Sequence, residues 1–332
     1  MKLTETKDIK QWNDFVESSP HSHPFQLSSW ADIKARNGWQ SYRFVDERDG
    51  AVIAGAQMLM LEAPLIGYKL AYIPRGPLVK SDDCDLDKLL EGLSEAAKSK
   101  GATLLKIEPA FTKYEPPRPW RRAKQQILHP ETSVIDLRNQ STEEILKNLK
   151  SGTRRDIRKS QRQELEVVTV SSDADFDKML KLYKATAKRA GFNLYADDYY
   201  REVFSRLADN NIIWIAQNKQ GEPAAFLWAA HGGDTAIYLY GGSNTLGRDT
   251  YANYLLQWHA ICHYHEAGIS YYDLNGHVSD GVGSFKSKFT DNKVTYIGSF
   301  DIPLKKFSYT LWENTLPRLK PILHFIKSKI RR

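Results

Sequence analysis

The apolar positions along the chain change period in an order that occurs twice. From Tyr42 to Leu59, "YRFVDERDGAVIAGAQML" is a strand, a polar turn ending in Gly50 and a second strand. From Ile213 to Ala229, "IWIAQNKQGEPAAFLWA" has the same form, with Gly221 in the turn. A third apolar run follows each hairpin, "KLAYIPRGPLV" in the first half and "AIYLYGGSN" in the second. The period then becomes helical. Asp85 to Lys100 places Leu86, Leu89, Leu90, Leu93 and Ala97 on one face, with Gly101 as the stop. Tyr251 to Ala267 places Tyr254, Leu255, Trp258, Ile261, Cys262 and His265 on one face, with Gly268 as the stop. Another strand follows each helix, "TLLKIEP" and "SYYDLNG". Helices are predicted ahead of each unit as well, at Ile9 to Phe15 and Ser28 to Arg36, then at Asp173 to Arg189 and Asp197 to Leu207. Each half reads β–turn–β–β–α–β, so the chain is expected to be a duplicated α/β protein with mixed sheets.

The Pro-rich "EPPRPW" and the strand-like "TSVIDLR" lie between the halves. The expected domains are residues 1–135, completed by 297–332, and residues 136–296. A helix begins at Ser141, which has capping-box spacing to Glu144, and is predicted to continue over 143–163. At about 100° per residue, Lys147, Lys150, Arg154, Arg155, Arg158, Lys159 and Arg162 cover about half its circumference. Ile145, Leu146, Leu149 and Ile157 lie opposite. A run of cations is usually a solvated face, but here acids such as Glu144 and Asp156 are few against seven cations, which favours a polyanion.

The length of 332 residues exceeds one compact core, in agreement with two domains. The net charge of +7 is modest and matters only where it clusters. Two cysteines, Cys84 and Cys262, form no disulfide framework, and "MKLTETKDIKQW" has no apolar signal core, so a cytoplasmic protein is expected. No apolar run reaches a membrane span. The tail "LKKFSYTLWENTLPRLKPILHFIKSKIRR" mixes apolar and basic residues around Pro317 and Pro321. It reads equally as a helix docked on the core and as an interfacial segment at the inner membrane face.

His259 and His263 have i,i+4 spacing but no accompanying glutamate and no third ligand, so they read as packing or surface histidines and no metal is expected. No nucleophile–base arrangement, Walker A loop or dinucleotide fingerprint is visible. The β-β-β-α-β order suggests the acetyltransferase (GNAT) superfamily. Its CoA-using members bind pyrophosphate on a glycine-rich loop at a helix N-terminus. The matching loop here, "GGSNTLGRDTYANYLL", places Asp249 just before the helix, where an anion is disfavoured.

Two such halves without a CoA loop resemble the FemABX peptidyltransferases, which use aminoacyl-tRNA to extend the peptidoglycan stem peptide. The resemblance covers nearly the whole chain. It rests on "FQLSSWADIKARNGW", "RGP" at 75–77, "LLKIEPA" at 104–110, "LYKATAKRAGF" at 182–192, "YLYGGSN" at 238–244, "YYDLNG" at 271–276 and "GSFKSKF" at 283–289. The long helical hairpin of some members is missing, which makes the chain similar to the compact FemX-like type. The resemblance implies that Lys34, following Trp30 in "WADIK", contacts precursor phosphates. Tyr195 stands where the family has a second phosphate-binding arginine, a departure that leaves lipid II and UDP-MurNAc-pentapeptide both open as acceptor. Glu108 matches the acidic residue after the fifth strand, Tyr240 an aromatic near substrate, and Lys286 the FK lysine near the acceptor end of the tRNA.

An aminoacyl ester attacked by an amine passes through an oxyanion, which a held ammonium such as Lys286 would stabilise. Glu108 would orient the amine or accept its proton, unless the substrate relays the proton itself. Arg154, Arg155, Arg158, Lys159, Arg162 and Lys288 are the expected tRNA contacts. No cofactor is expected beyond the aminoacyl-tRNA co-substrate. For each residue a bland reading stands beside this one: Glu108 paired with Lys106 or another neighbour, Lys34 merely exposed, Tyr240 in the core. Two other functions remain open, a CoA-dependent N-acyltransferase of the same fold and a non-catalytic RNA- or membrane-binding protein.

Overall fold

The computed structural model describes residues 3–63, 67–80, 83–276 and 285–305, so the basic tail and the glycines of "GVGS" at 281–284 lie outside the described residues. The chain divides into two compact units. One comprises Met1–Phe15, Lys34–Leu128 and Tyr296–Arg332, the other Val16–Ile33 and His129–Thr295. This division departs from the expected one at two places. Val16–Ile33 belongs to the second unit, where the His21 N–H donates to the Asp234 carboxylate at 3.0 Å and the Ser22 hydroxyl to the Gly232 carbonyl at 2.7 Å. The boundary near 135 moves back to Leu128, because the strand Glu131–Asp136 pairs inside the second sheet.

In the first unit the strands are β1 (Thr4–Thr6), β2 (Trp39–Arg48), β3 (Ala51–Ala63), β4 (Tyr68–Pro74), β5 (Leu78–Val79), β6 (Leu104–Glu108) and β7 (Arg121–Arg122). They are joined by β15 (Phe300–Pro303) from the far end of the chain, in the order β1-β2-β3-β4-β6-β15-β7, with β5 on β3. Asp49 and Gly50 have φ of 50° and 77°, and this two-residue turn closes the β2–β3 hairpin. The third apolar run is not one strand. Arg75 has φ 51° and the Gly76–Pro77 peptide is cis, so β4 ends at Pro74 and β5 rejoins β3 at Ala54 and Gly55. Helix α3 (Leu86–Ser99) is capped by Asp85, whose carboxylate accepts from the Lys88 N–H at 3.1 Å, and stops before Gly101 at φ 80°. Its Leu89, Leu90, Leu93 and Ala97 pack with Phe44, Met58, Ile73 and Ile107 in the core. The crossover leaves β6 parallel to β4, and β15 then pairs antiparallel with β6 so that Asp301 faces Lys106. These two form an ion pair of 2.7 Å with side chains 3% and 0% exposed, and Lys106 Nζ also donates to the Gln125 carbonyl at 2.9 Å.

The second unit's sheet runs β14-β8-β13-β12-β11-β10-β9, with β8 (Glu131–Asp136), β9 (Glu166–Thr169), β10 (Asn211–Gln217), β11 (Pro223–Gly232), β12 (Thr235–Ser243), β13 (Tyr271–Asp273) and β14 (Lys293–Thr295). Helices α6 (Asp173–Ala190), α7 (Asp197–Leu207) and α9 (Ala252–Glu266) flank it. The buried face of α9 is centred on Leu256, Ala260 and Tyr264, not on Leu255, Trp258 and Cys262 as the pattern predicts, and the buried Gln257 accepts from the Tyr272 hydroxyl at 2.9 Å. β12 and β13 are parallel and share three residue pairs, Thr235–Ile237 with Tyr271–Asp273. Beyond Ile237 the two strands part.

The predicted basic helix is broken. Ser141 and Glu144 do form a capping box at the start of α4 (Thr142–Asn148), but Leu149 and Lys150 are extended, with ψ of 155° and 143°, and α5 (Ser151–Ser160) starts anew. The break is held from outside the helix. The Lys150 N–H donates to the Phe289 carbonyl at 3.4 Å and the Thr153 hydroxyl to the Lys288 carbonyl at 2.5 Å. Arg154 Nη1 closes the end of α4, donating to the Lys147 carbonyl at 2.7 Å and to the Leu149 carbonyl.

Removing Lys106 takes away the buried cation that is ion-paired with Asp301. Lys106→Met is expected to lower unfolding free energy by about 3–5 kcal/mol. The double change Lys106→Met/Asp301→Leu is expected to recover most of that loss, and chemical denaturation of the three proteins measures both.

Candidate active site

The site in the second unit is built where β12 and β13 part. Asn275 and Gly276 follow β13 in left-handed conformations, φ 57° and 65°, which turns both of their carbonyls toward one point. Lys286 Nζ occupies that point. It donates to the Asn275 carbonyl and, at 3.1 Å, to the Gly276 carbonyl, and it lies 5.5 Å over the Tyr238 ring. The side chain is 8% exposed. Phe285 and Phe289 hold the segment on either side of it, packing on Tyr254 at centroid distances of 5.2 and 5.7 Å. A cavity of about 400 Å³ opens beside this group, lined by Arg189, Tyr238, Gly241, Arg248, Asn253 and Phe285 among others. Gly241 and Gly242 keep it open, since a Cβ on either would overlap the Tyr238 or Thr186 hydroxyl.

Lys286 and Lys288 diverge. Lys288 is exposed and lines a second cavity of about 450 Å³ with Lys150, Thr153, Arg155 and Asp156. The structure therefore brings two of the expected tRNA contacts, Arg155 and Lys288, to one place. Lys150 at this site is ion-paired with Asp291 at 2.5 Å and Arg155 with Asp156 at 3.2 Å. Arg158, Lys159 and Arg162 are exposed along and beyond α5, and Lys159 Nζ sits 4.9 Å from the Tyr251 ring. Arg154 is turned to the α4 carbonyls instead.

Glu108 lies in the first unit at the end of β6 and is 1% exposed. One carboxylate oxygen accepts from the Ile127 N–H at 2.7 Å and from the Ser299 hydroxyl. The other accepts from the Tyr72 hydroxyl at 2.5 Å and the Leu128 N–H at 3.0 Å. Four donors fill the four lone-pair positions of a carboxylate. Burial, then the Glu108 charge and hydrogen bond, push the Tyr72 phenol well above its ordinary value, which keeps it a donor. Glu108 is thus an anchor for residues 127–128, not a carboxylate open to an incoming amine, and it is not paired with Lys106. Tyr72 and Ser299 were not legible in the sequence as its partners, because they come from positions 36 residues before it and 191 after it.

Tyr240 sits in an aromatic group with Tyr183, Tyr200 and Trp228 at 5.4–5.6 Å, and burial raises its phenol well above the usual range. Tyr195 is 65% exposed and lies 4.4 Å from the Tyr199 ring. Trp30 is a core residue, 6% exposed and stacked on Phe25 at 4.3 Å. Lys34 is half-buried, and desolvation lowers its pKa below the ordinary lysine value. His259 and His263 pack edge-on against Trp214, and among the described residues no cluster of three or more His, Cys, Asp or Glu suits a metal. No helix among the described residues is long and apolar enough to cross a membrane.

Residues 7–115 match the FemAB family and residues 147–287 a GNAT acetyltransferase domain. The chain is similar to the lipid II:glycine glycyltransferase of Staphylococcus aureus (strain MRSA252), 23% identical over 96% of this chain and 97% of that one. The crystal structure of FemX superposes with a TM-score of 0.83 at 21% identity, covering 95% of this chain and 100% of the other. The FemAB match thus falls on the first part of the chain and the GNAT match on the second. The chain's tandem GNAT architecture is shared with a tandem GNAT protein from the clavulanic acid pathway, TM-score 0.52 at 13% identity over 91% and 98% of the two chains.

The loop before α9 is closed by its own hydrogen bonds. Residues Thr245–Asp249 form a short helix, α8, capped by Asn244. The Gly247 N–H goes to Asn244 Oδ1, the Arg248 N–H to the Asn244 carbonyl and the Thr250 N–H to the Leu246 carbonyl. Tyr251 caps α9 from a left-handed conformation, φ 58°. The backbone N–H groups of Gly247, Arg248 and Thr250 are thereby bonded within the loop. The sequence reading missed Arg189 and Arg248, although the "RAG" and "GRD" triplets hold both.

A polyanion held at this face is expected to bind more weakly in Arg155→Glu and in Lys288→Glu, each with the slope of log K against log salt reduced by about 1. Arg154→Ala is expected to leave that slope unchanged and to lower the melting temperature. Filter binding across a salt series and thermal unfolding separate the two classes.

Proposed function

We propose that this protein moves an aminoacyl group from aminoacyl-tRNA to the stem-peptide amine of a peptidoglycan precursor, in interpeptide bridge synthesis. The observation that carries the reading is Lys286, a buried ammonium fixed by two backbone carbonyls just past the end of β13, over the Tyr238 ring. The relative named for lipid II supports a lipid-linked acceptor, as does Tyr195 in place of a phosphate-binding arginine. The loop of α8 argues against CoA as the acyl donor, and the protein needs no cofactor beyond its charged RNA.

The acceptor amine adds to the ester carbonyl carbon, forming the C–N bond and an oxyanion. Lys286, already desolvated and held, stabilises that charge without reorganising. Collapse of the intermediate breaks the bond to the ribose oxygen, which leaves with the proton that the attacking amine gives up. Glu108 holds the 127–128 turn in shape. Lys34 supplies a cation for the precursor's diphosphate, and the exposed cations of α5 and Lys288 hold the RNA backbone.

Transfer from charged tRNA to lipid II or to the nucleotide-linked precursor tests the proposal, and turnover of acetyl-CoA in place of either would sink it. Lys286→Ala is expected to lower kcat by about 10²–10³-fold, the cost of one lost oxyanion donor. Glu108→Gln is expected to change kcat/KM less than tenfold while lowering the melting temperature, since an amide nitrogen must then face hydrogen-bond donors. A general base would instead cost about 10²–10⁴-fold in rate.

Desolvation favours neutral Lys34, so its charge is lost at a lower pH than for an ordinary lysine. KM for the acceptor is therefore expected to rise as pH climbs through that lowered pKa. In Lys34→Arg the rise is expected to vanish, because a guanidinium stays charged. Initial rates from neutral pH upward measure the difference.

A further inference from the structure

The cavity of about 400 Å³ beside Lys286 carries charge of one sign. Arg189 and Arg248 both line it, and no carboxylate is among its described lining residues. Both guanidiniums are held by neutral acceptors. Arg189 Nη1 donates to the Ser243 carbonyl at 2.6 Å, and Arg248 Nη2 to the Thr245 hydroxyl at 2.8 Å. Neither makes an ion pair among the described residues. Burial and the adjacent Arg248 charge lower the Arg189 pKa, which reflects two like charges set close together. Positioned guanidiniums without a partner suit a phosphate, which accepts several N–H bonds at once.

The rest of the lining suits a nucleotide. Tyr238 and Phe285 offer apolar ring surface, and the Asn253 amide, fixed by donating to the Ser243 hydroxyl at 3.0 Å, offers a polar edge. Tyr238 is shared between this cavity and the catalytic lysine, whose Nζ lies 5.5 Å from its ring. Phe285 is the chain neighbour of that lysine.

We infer that Arg189 and Arg248 form a phosphate clamp for the 3′-terminal phosphodiester of the acyl-carrying RNA, seating its last nucleotide so that the ester meets Lys286. This rests on the proposed aminoacyl-tRNA chemistry. The clamp makes no covalent bond. It positions the donor, and it rewards a donor that carries a phosphate over one that does not.

The test compares two acyl donors, an RNA minihelix charged at its 3′ end and a 3′-aminoacyl-adenosine that has no phosphate. The readout is the ratio of their kcat/KM values with lipid II as acceptor. In Arg189→Ala and Arg248→Ala the ratio is expected to fall about tenfold each, and about a hundredfold in the double variant, the range for charge-assisted bonds to phosphate. The lysine variants Arg189→Lys and Arg248→Lys are expected to restore part of it. An unchanged ratio overturns the clamp. So does a rise in KM for lipid II with the donor ratio intact, which would give the arginines to the acceptor's diphosphate, and so does loss of acetyl-CoA binding in the same variants. If the wild type transfers from neither donor, the proposed function fails on its own. Fluorescence anisotropy with the uncharged minihelix then decides the clamp, with weaker binding by the double variant supporting it and equal binding overturning it.

Discussion

β12 and β13 stay together for only three residue pairs, and that short partnership is the constraint on which the second unit's chemistry depends. Parallel strands that part expose backbone and side chains along the inner edge of each, and such an edge must be covered or used. Here the β12 side runs through Tyr238, Gly241, Gly242 and Ser243, and the β13 side turns into the two left-handed residues that grip Lys286. Where β13 ends thereby sets where the lysine is held.

Much of this was readable before any coordinates. The twofold β-β-β-α-β order, the caps of α3, the glycine stops of α3 and α9 and the Ser141–Glu144 capping box follow from local patterns, and local patterns are what a sequence displays directly. The motifs of the family resemblance sit on helices, strands and turns alike, from the helix Ser28–Ala35 and α6 to β6, β12 and the turn after β13. Other features depended on partners far along the chain. Ser151 and Gly152 are the local sign of a break after Leu149, and carbonyls of Lys288 and Phe289, nearly 140 residues away, hold it. The face of α9 was misplaced because the helix is buried over more than one stripe, so a single-stripe pattern has no unique answer. Glu108 was identified as important but given the wrong work, since the four donors that saturate it come from β4, from the 127–128 turn and from beyond Thr295.

The cations illustrate the difference between charge counted and charge placed. Seven lie in the stretch from Lys147 to Arg162, and the sequence treats them alike. In the fold Arg154 completes a helix end, Lys150 is paired with Asp291, and Arg155 joins Lys288 at an open cavity. Arg189 and Arg248, which make no ion pair among the described residues, lie outside the basic run. A charge becomes a binding site through what does not neutralise it.

The pairing of β15 with β6 has a consequence in time. A ribosome finishes the whole of His129–Thr295 before Phe300–Pro303 exists, so the second unit's sheet has all its strands while the first still lacks one. Until then β6 is an open edge, and Lys106 waits beside it without Asp301. Synthesis from the N-terminus ordinarily lets the first domain settle first. In this chain the order is reversed, and the unit begun first is the one completed last.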